Sequence, residues 1–344
     1  GCRFCQAGMI TRPVRERDPR RVRDQVLAAL AQTGYEEASL VSLSSGDYTH
    51  VAELLAELGR NLEDQRVALS LPSLRLDTFQ RRIAEAVSHV RKTGFTFAPE
   101  AGSARLRRVI NKDVDEDVLA EHVRQVFAAG WDLIKLYFMV GLPTETREDV
   151  EAIATLTRRL MRAAKEAGRG RRPPRFHVSV NLFVPKPHTP FQWEPQLPLA
   201  EAAERLALLA RMLPRSVDYR FGAKERTDLT RARYEAVFAR GDRRLWPVLV
   251  RAHALGARFD AWNEHFRPDV WTRAFGEAGL DPESLAGGIS EDRALPWEHL
   301  DPGVSPAFLA AERDKARRGE TTPDCRTGCL GCGAEDPKAC PKPP

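Results

Sequence analysis

What this chain lacks narrows it before any motif is read. No window of its 344 residues approaches the 18 or so consecutive apolar positions of a membrane span, so a soluble protein is expected. Neither charge sign dominates: 53 basic residues stand against 48 acidic ones, a net of +5, which gives little reason to expect a polyanionic partner. Lysine is scarce, nine of those 53, and the arginine bias reads as solvated helix faces. Cysteine is absent from residues 6 to 324. A disulfide framework spreads its cysteines through a fold. Two terminal groups, Cys2 and Cys5, then Cys325, Cys329, Cys332 and Cys340, read instead as metal ligands in a reducing compartment, the cytoplasm. What is present, 42% hydrophobic residues with 24 Pro and 23 Gly, suffices for a full core and excludes disordered and fibrous classes. The chain opens on Gly-Cys without an initiator Met, and the expectation is a portion of something longer.

Between residues 18 and 183 the pattern alternates. Strands are expected at 37–43, 66–71, 94–98, 131–140 and 175–184, with helices over 18–33, 49–62, 76–90, 103–129 and 146–167. Strands that alternate with helices predict a parallel α/β architecture. Side chains two apart share a strand face, and each strand keeps one polar or small face. His177, Ser179 and Asn181 oppose Val178, Val180 and Leu182; Lys135, Tyr137 and Met139 oppose Leu136, Phe138 and Val140. That pattern suits a barrel whose interior holds a polar ligand, and polar residues gather at the strand ends, at 44–47, 99–103 and 141–146, the edge that carries chemistry in β/α barrels. Residues 198–320 read as helical, with Trp246, Trp262, Trp271 and Trp297 as core or interface anchors. The Arg-rich stretch 158–175 reads as a cationic helix end, with phosphate binding as the sharper alternative.

Gly-Cys-Arg-Phe-Cys at 1–5 stands immediately ahead of this series. Alone, C-x-x-C is compatible with zinc, thiol redox and iron–sulfur sites. Its position before an alternating series, with Phe4 directly preceding the second Cys, resembles the cluster motif C-x-x-x-C-x-aromatic-C of the radical S-adenosylmethionine (SAM) superfamily. Cys2 and Cys5 match the second and third cysteines; the first, with the first strand, would precede Gly1. The resemblance implies a partial (β/α)6-type TIM-like barrel over residues 1–197, a helical extension over 198–320 and a Cys-rich tail over 321–344.

It also implies a [4Fe–4S] cluster that leaves one iron open to SAM, and reductive cleavage of SAM using a reducing electron donor. Ser44, Gly46 and Asp47 stand where the family's Gly-Gly-Glu receives the SAM amino group. Glu100 and Ser103, around Gly102, occupy the fourth-strand site that touches the ribose or methionine moiety. Gly141, in Met-Val-Gly-Leu-Pro-Thr-Glu-Thr (139–146), would let the backbone approach adenine, and Thr146 would help start the next helix. Phe4 and Asn181 complete the cofactor set, and Lys135, Tyr137 and His177 face the expected cavity as substrate contacts. The strings at 12–17, 135–139 and 295–299 are similar to a radical SAM family with a cobalamin-binding domain upstream, which adds cobalamin as a cofactor, and the string at 184–191 resembles the strand-six exit of the methylthiotransferase and cobalamin-dependent branches.

Cys325, Cys329, Cys332 and Cys340 read as a second metal site, an auxiliary iron–sulfur cluster or zinc, because Gly331 stands where the SAM motif has an aromatic. The expected function is radical chemistry on an unidentified small-molecule or RNA substrate, by methyl or methylthio transfer. RNA methylthiolation is the runner-up, and a non-catalytic metal- and RNA-binding module is the competing class.

Overall fold

The computed structural model describes residues 1–42, 45–62, 67–70, 95–167, 173–220, 225–334 and 340. All strand pairs among them are parallel. β1 (Glu37–Ser39) pairs with β2 (Ala68–Ser70), and β3 (Phe95–Glu100), β4 (Leu133–Val140), β5 (Arg175–Leu182) and β6 (Asp218–Arg220) form a four-stranded sheet in sequence order. This is the expected α/β fold with parallel sheets, consistent with a partial TIM-like barrel.

The two sheet faces differ as the sequence alternation requires. Phe97, Ile134, Leu136, Phe138, Phe176, Val178 and Val180 are buried beneath the helices Glu116–Ala128, Arg147–Ala167 and Leu199–Met212. Burying each such side chain contributes roughly 1.5–3 kcal/mol. The opposite face keeps Thr96, Lys135, Tyr137, Met139, His177 and Ser179 half-exposed and Asn181 exposed. Register aligns Thr96 with Lys135, His177 and Asp218 in one row, and Met139 with Asn181 nearer the strand ends.

Several local readings change. The stretch 198–320 is not helical throughout. β6 lies within it and extends the sheet, and Asp-Tyr-Arg carries no apolar run that would announce a strand. The helical segments expected over 103–129 are Ala104–Val109 and Glu116–Ala128, parted where Asn111 adopts a left-handed φ of 53° and Asp115 caps the second. Trp271 and Trp297 are buried, but Trp246 and Trp262 are 68% and 62% exposed and anchor no core. Arg158 donates to the Met212 carbonyl, Arg159 pairs with Glu116 and Asp117, and Arg175 pairs with Asp132, so these three arginines of the stretch are held by the fold. The expected helix over 76–90 lies outside the described residues. No helix among the described residues is long and apolar enough to cross a membrane.

Candidate active site

The cysteine loop begins the chain and leads into the short helix Ala7–Ile10. The Cys5 amide donates to the Cys2 carbonyl (3.1 Å), which folds the loop into a turn, and the Gly8 amide points at Cys5 Sγ (3.3 Å). Both thiols are free and half-buried.

Glu100 reaches the same place from the end of β3. Phe97 pairs with Leu136 but Glu100 with Phe138, so one extra residue is accommodated there. Pro99 offers no N–H to the ladder and is well placed in such an irregularity. Glu100 then takes a left-handed φ of 66°, a strained conformation for a non-glycine residue, and pairs with Lys112 Nζ at 3.0 Å.

A third wall comes from the 3₁₀ turn Ser45–Asp47, which Ser45 holds by donating to the Leu40 carbonyl (3.1 Å). A fourth comes from the C-terminal tail: Arg326 donates to the Asp47 carbonyl (3.1 Å). The result is a cleft of about 780 Å³ lined by Cys2, Phe4, Cys5, Asp47, Glu100 and Lys112, with Asp324 and Arg326 at its margin. The segment 12–17 also lines it, tied down where Tyr48 donates to the Arg17 carbonyl (2.7 Å). Phe4 is shared with a second cavity of about 440 Å³, at the ends of β4 and β5, lined by Met139, Asn181 and Lys186 among others.

The expected site residues separate accordingly. Cys2, Phe4, Cys5, Asp47 and Glu100 converge on the first cleft and Asn181 on the second. Gly46 is buried in the turn beside Asp47. Ser44 lies outside the described residues. Ser103 faces other work: its Oγ accepts from the Leu106 amide as a helix N-cap and donates to Asp149. Gly102 is fixed by packing, since a Cβ there would lie 2.2 Å from the Ile153 amide nitrogen. Gly141 has φ 81° and donates to Glu145 at 2.9 Å, which closes the 141–146 loop. Burial pushes the Glu145 carboxyl above its ordinary range, against the opposing effects of the Gly141 amide and Arg205. Lys135, Tyr137 and His177 lie further back on the half-open sheet face and line neither cavity; His177 Nε2 sits 3.2 Å from Asp218.

The loop at 184–191 is bound to the cysteine loop, because Gln6 donates to the Pro187 carbonyl (3.1 Å). Gln192 Oε1 accepts from both the His188 amide and the Trp297 indole (2.9 Å each), so the strings at 184–191 and 295–299 meet. Sequence reasoning missed Arg3, Lys112, Asp324 and Arg326. Only Arg3, between two cysteines, carried any local hint.

Two thiols in one turn, one of them receiving an N–H, fit soft-metal ligation, although the resembled motif has three. Among the described residues no three His, Cys, Asp or Glu side chains are grouped to hold a metal ion. In the tail, Cys325, Cys329 and Cys340 are half-buried, and Cys332 is buried in a cluster with Met9, Trp193 and Phe308.

The model of the Radical SAM superfamily matches residues 1–157. An uncharacterized protein of Methanocaldococcus jannaschii, MJ0966, is 37% identical over 198 residues, which cover 56% of this chain and 40% of that one. Two solved structures are similar. The radical S-adenosylmethionine methyltransferase TsrM from Kitasatospora setae, with cobalamin and a [4Fe–4S] cluster bound, gives a TM-score of 0.40 at 19% identity, over 52% of this chain and 33% of that one. SuiB from Streptococcus suis gives 0.42 at 13% identity, over 66% and 47%. The chain spans less than half the length of each of these relatives. The matched span, residues 1–157, carries the cysteine loop, the Ser45–Asp47 turn and Glu100, and over it the chain is similar to the radical SAM superfamily.

Proposed function

We propose that this chain is the catalytic portion of a radical SAM enzyme, with Cys2 and Cys5 as cluster ligands and the cleft of about 780 Å³ as the SAM site. The observation that carries the reading is the convergence of Cys2, Phe4, Cys5, Asp47 and Glu100, from three separate segments, on that one cleft. The superfamily implies a [4Fe–4S] cluster and SAM; the cluster, when bound, supplies the electron that cleaves SAM to methionine and a 5′-deoxyadenosyl radical.

The protein's own groups bind and orient. Glu100, held by Lys112, offers a carboxylate to the amino or hydroxyl groups of the ligand. Asp47 lines the same cleft as Glu100, and Phe4 lines both this space and the second cavity, where Asn181 supplies an amide. The second cavity is the place for the substrate, an unidentified small molecule or RNA, which is modified by methyl or methylthio transfer with a reducing electron donor as partner.

In this reading residues 1–197, with β6 added, are the barrel, 198–320 the helical extension and 321–344 a Cys-rich tail. The four tail thiols carry a second metal, an iron–sulfur cluster or zinc, on the strength of their spacing. Similarity of its sequence strings to cobalamin-dependent relatives supports cobalamin as a further cofactor, and cysteines grouped as ligands rather than spread as a disulfide framework support a cytoplasmic location.

Anaerobically purified full-length protein is expected to show an iron–sulfur absorption band and to release 5′-deoxyadenosine on reduction with dithionite in the presence of SAM. Reconstituted protein that binds neither cluster nor SAM refutes the reading. Iron, sulfide, zinc and cobalt quantification on the same sample tests the tail metal and cobalamin.

A further inference from the structure

Arg3 lies between the two cysteines of the loop and is completely buried, at 0% exposure. A guanidinium is a poor choice for filling space, because its desolvation is costly unless every donor is met. Here the donors are met from two directions. NH1 donates to the carbonyls of Arg108 (3.2 Å) and Val109 (3.1 Å), and the Arg3 amide donates to that of Ile110 (3.0 Å). These carbonyls end the helix that starts just after Glu100, where a cation is favoured.

From the other side Nε donates to Glu312 (3.1 Å) and NH2 to Thr322 Oγ1 (3.3 Å). Glu312, buried on the helix Pro306–Arg318, also accepts from Thr322 Oγ1 (2.7 and 2.9 Å) and from Lys315 Nζ (2.9 Å). Asn111 completes the junction: its Nδ2 donates to the carbonyls of Gly1 and Thr322 (3.0 Å each), and its Oδ1 accepts from the Thr322 amide (2.8 Å). The cysteine loop, the Glu100 segment and the C-terminal helix therefore meet at one side chain.

We propose that Glu312, acting through Arg3, is a positioning residue for the cysteine loop, so that a helix more than 300 residues away in sequence fixes where Cys2 and Cys5 stand. The inference rests on the proposed function, since it takes these thiols to be cluster ligands. A planar donor group fixed by four oxygen acceptors specifies one loop conformation, which an apolar side chain of equal volume does not. Burial of this ion pair is a poor source of stability compared with apolar packing, so its use here is geometric.

The experiment uses the full-length holoprotein in three forms: wild type, Glu312→Gln and the double variant Arg3→Met with Glu312→Met. The double variant replaces the buried pair by apolar side chains of similar size and is expected to stay folded and unfold cooperatively, at a lower temperature than wild type because the Arg108 and Val109 carbonyls lose a donor. Its cluster iron is expected to be lost to a chelator about tenfold faster or more, the scale seen when groups that orient metal ligands are removed. Its reduced cluster is expected to give an altered electron paramagnetic resonance line shape. Glu312→Gln keeps the acceptor oxygen but leaves Arg3 uncompensated, so the cluster potential rises. A folded double variant with wild-type iron loss and line shape, together with an unshifted potential in Glu312→Gln, overturns the proposal while leaving the proposed function standing. A wild-type protein that holds no iron overturns both.

Discussion

The Thr146 amide donates to the Asp149 carboxylate at 2.8 Å, and through this contact two strand-end loops become one unit. Asp149 also accepts from Thr146 Oγ1 (3.2 Å), from Ser103 and from Arg105, which itself reaches the Thr144 carbonyl (2.8 Å). The loop after Glu100 and the loop at 141–146 are thereby held together by a single buried carboxylate.

Asp149→Asn removes the charge that these donors converge on and is expected to lower stability by about 2 kcal/mol at pH 7. Burial pushes the Asp149 carboxyl up, but the hydrogen bonds from Arg105, Ser103 and Thr146 outweigh it and hold the group below its ordinary range. A carboxyl depressed in the folded state gives stability that is complete above its unfolded pKa of about 4 and is lost as pH falls through the lower folded value. Urea unfolding at pH 7 and at pH 3 checks this: the gap between wild type and variant narrows at the lower pH. A gap of equal size at both excludes the carboxylate as its source.

Two glycine-to-alanine changes are expected to act in opposite directions. At Gly102 the new Cβ meets the backbone of Ala152 and Ile153 at 2.2 to 2.8 Å, and the cost is roughly 1–3 kcal/mol. At Gly59, inside the helix Val51–Leu62 with nothing within 4 Å, the same change stabilises by about 0.5–1 kcal/mol. Thermal melts of the two variants beside wild type read both signs.

Arg240 is a further buried arginine whose donors meet carbonyls. Its NH1 donates to Gln192 (3.2 Å) and Glu194 (2.8 Å), its NH2 to Ala286 (2.9 Å) and Gly287 (3.1 Å). Burial, and to a lesser degree Arg233, push its guanidinium down to about 10, so it remains cationic at neutral pH. Arg240→Met strands those acceptors and is expected to destabilise by roughly 3 kcal/mol, more than most surface arginine changes. Chemical denaturation, with Arg243→Met as the exposed control, measures the difference.

Glu100→Gln tests the cleft. Loss of a charged hydrogen-bond partner, worth about 2 kcal/mol, is expected to weaken SAM binding more than tenfold, with folding retained. Equilibrium binding of SAM to anaerobic full-length protein reads the change; unchanged affinity removes Glu100 from the site.

Much of this molecule was legible in the sequence because its signals are local. The alternation of Lys135, Tyr137 and Met139 with Leu136, Phe138 and Val140 fixes a strand with one buried face whatever surrounds it. The spacing of Cys2 and Cys5, with Phe4 between them and an alternating series behind, marks the loop as a candidate site. The three-residue β6 left no such trace, because its pairing is supplied by β5 rather than by its own apolar content. Trp246 and Trp262 misled, because a large apolar residue signals a core only when something packs over it.

The sequence by itself determined the parallel α/β layering, the close spacing of Cys2 and Cys5 and the polar strand ends, since each depends on periodicity or on residue type at short range. Only the tertiary structure decided which of those ends share a cleft, that Glu100 is turned into it by an irregularity at Pro99, and that Arg3 is held by Glu312. Hydrogen-bond partners hundreds of residues apart leave no periodic mark in a sequence; their pairing exists only once the helices and sheet have packed.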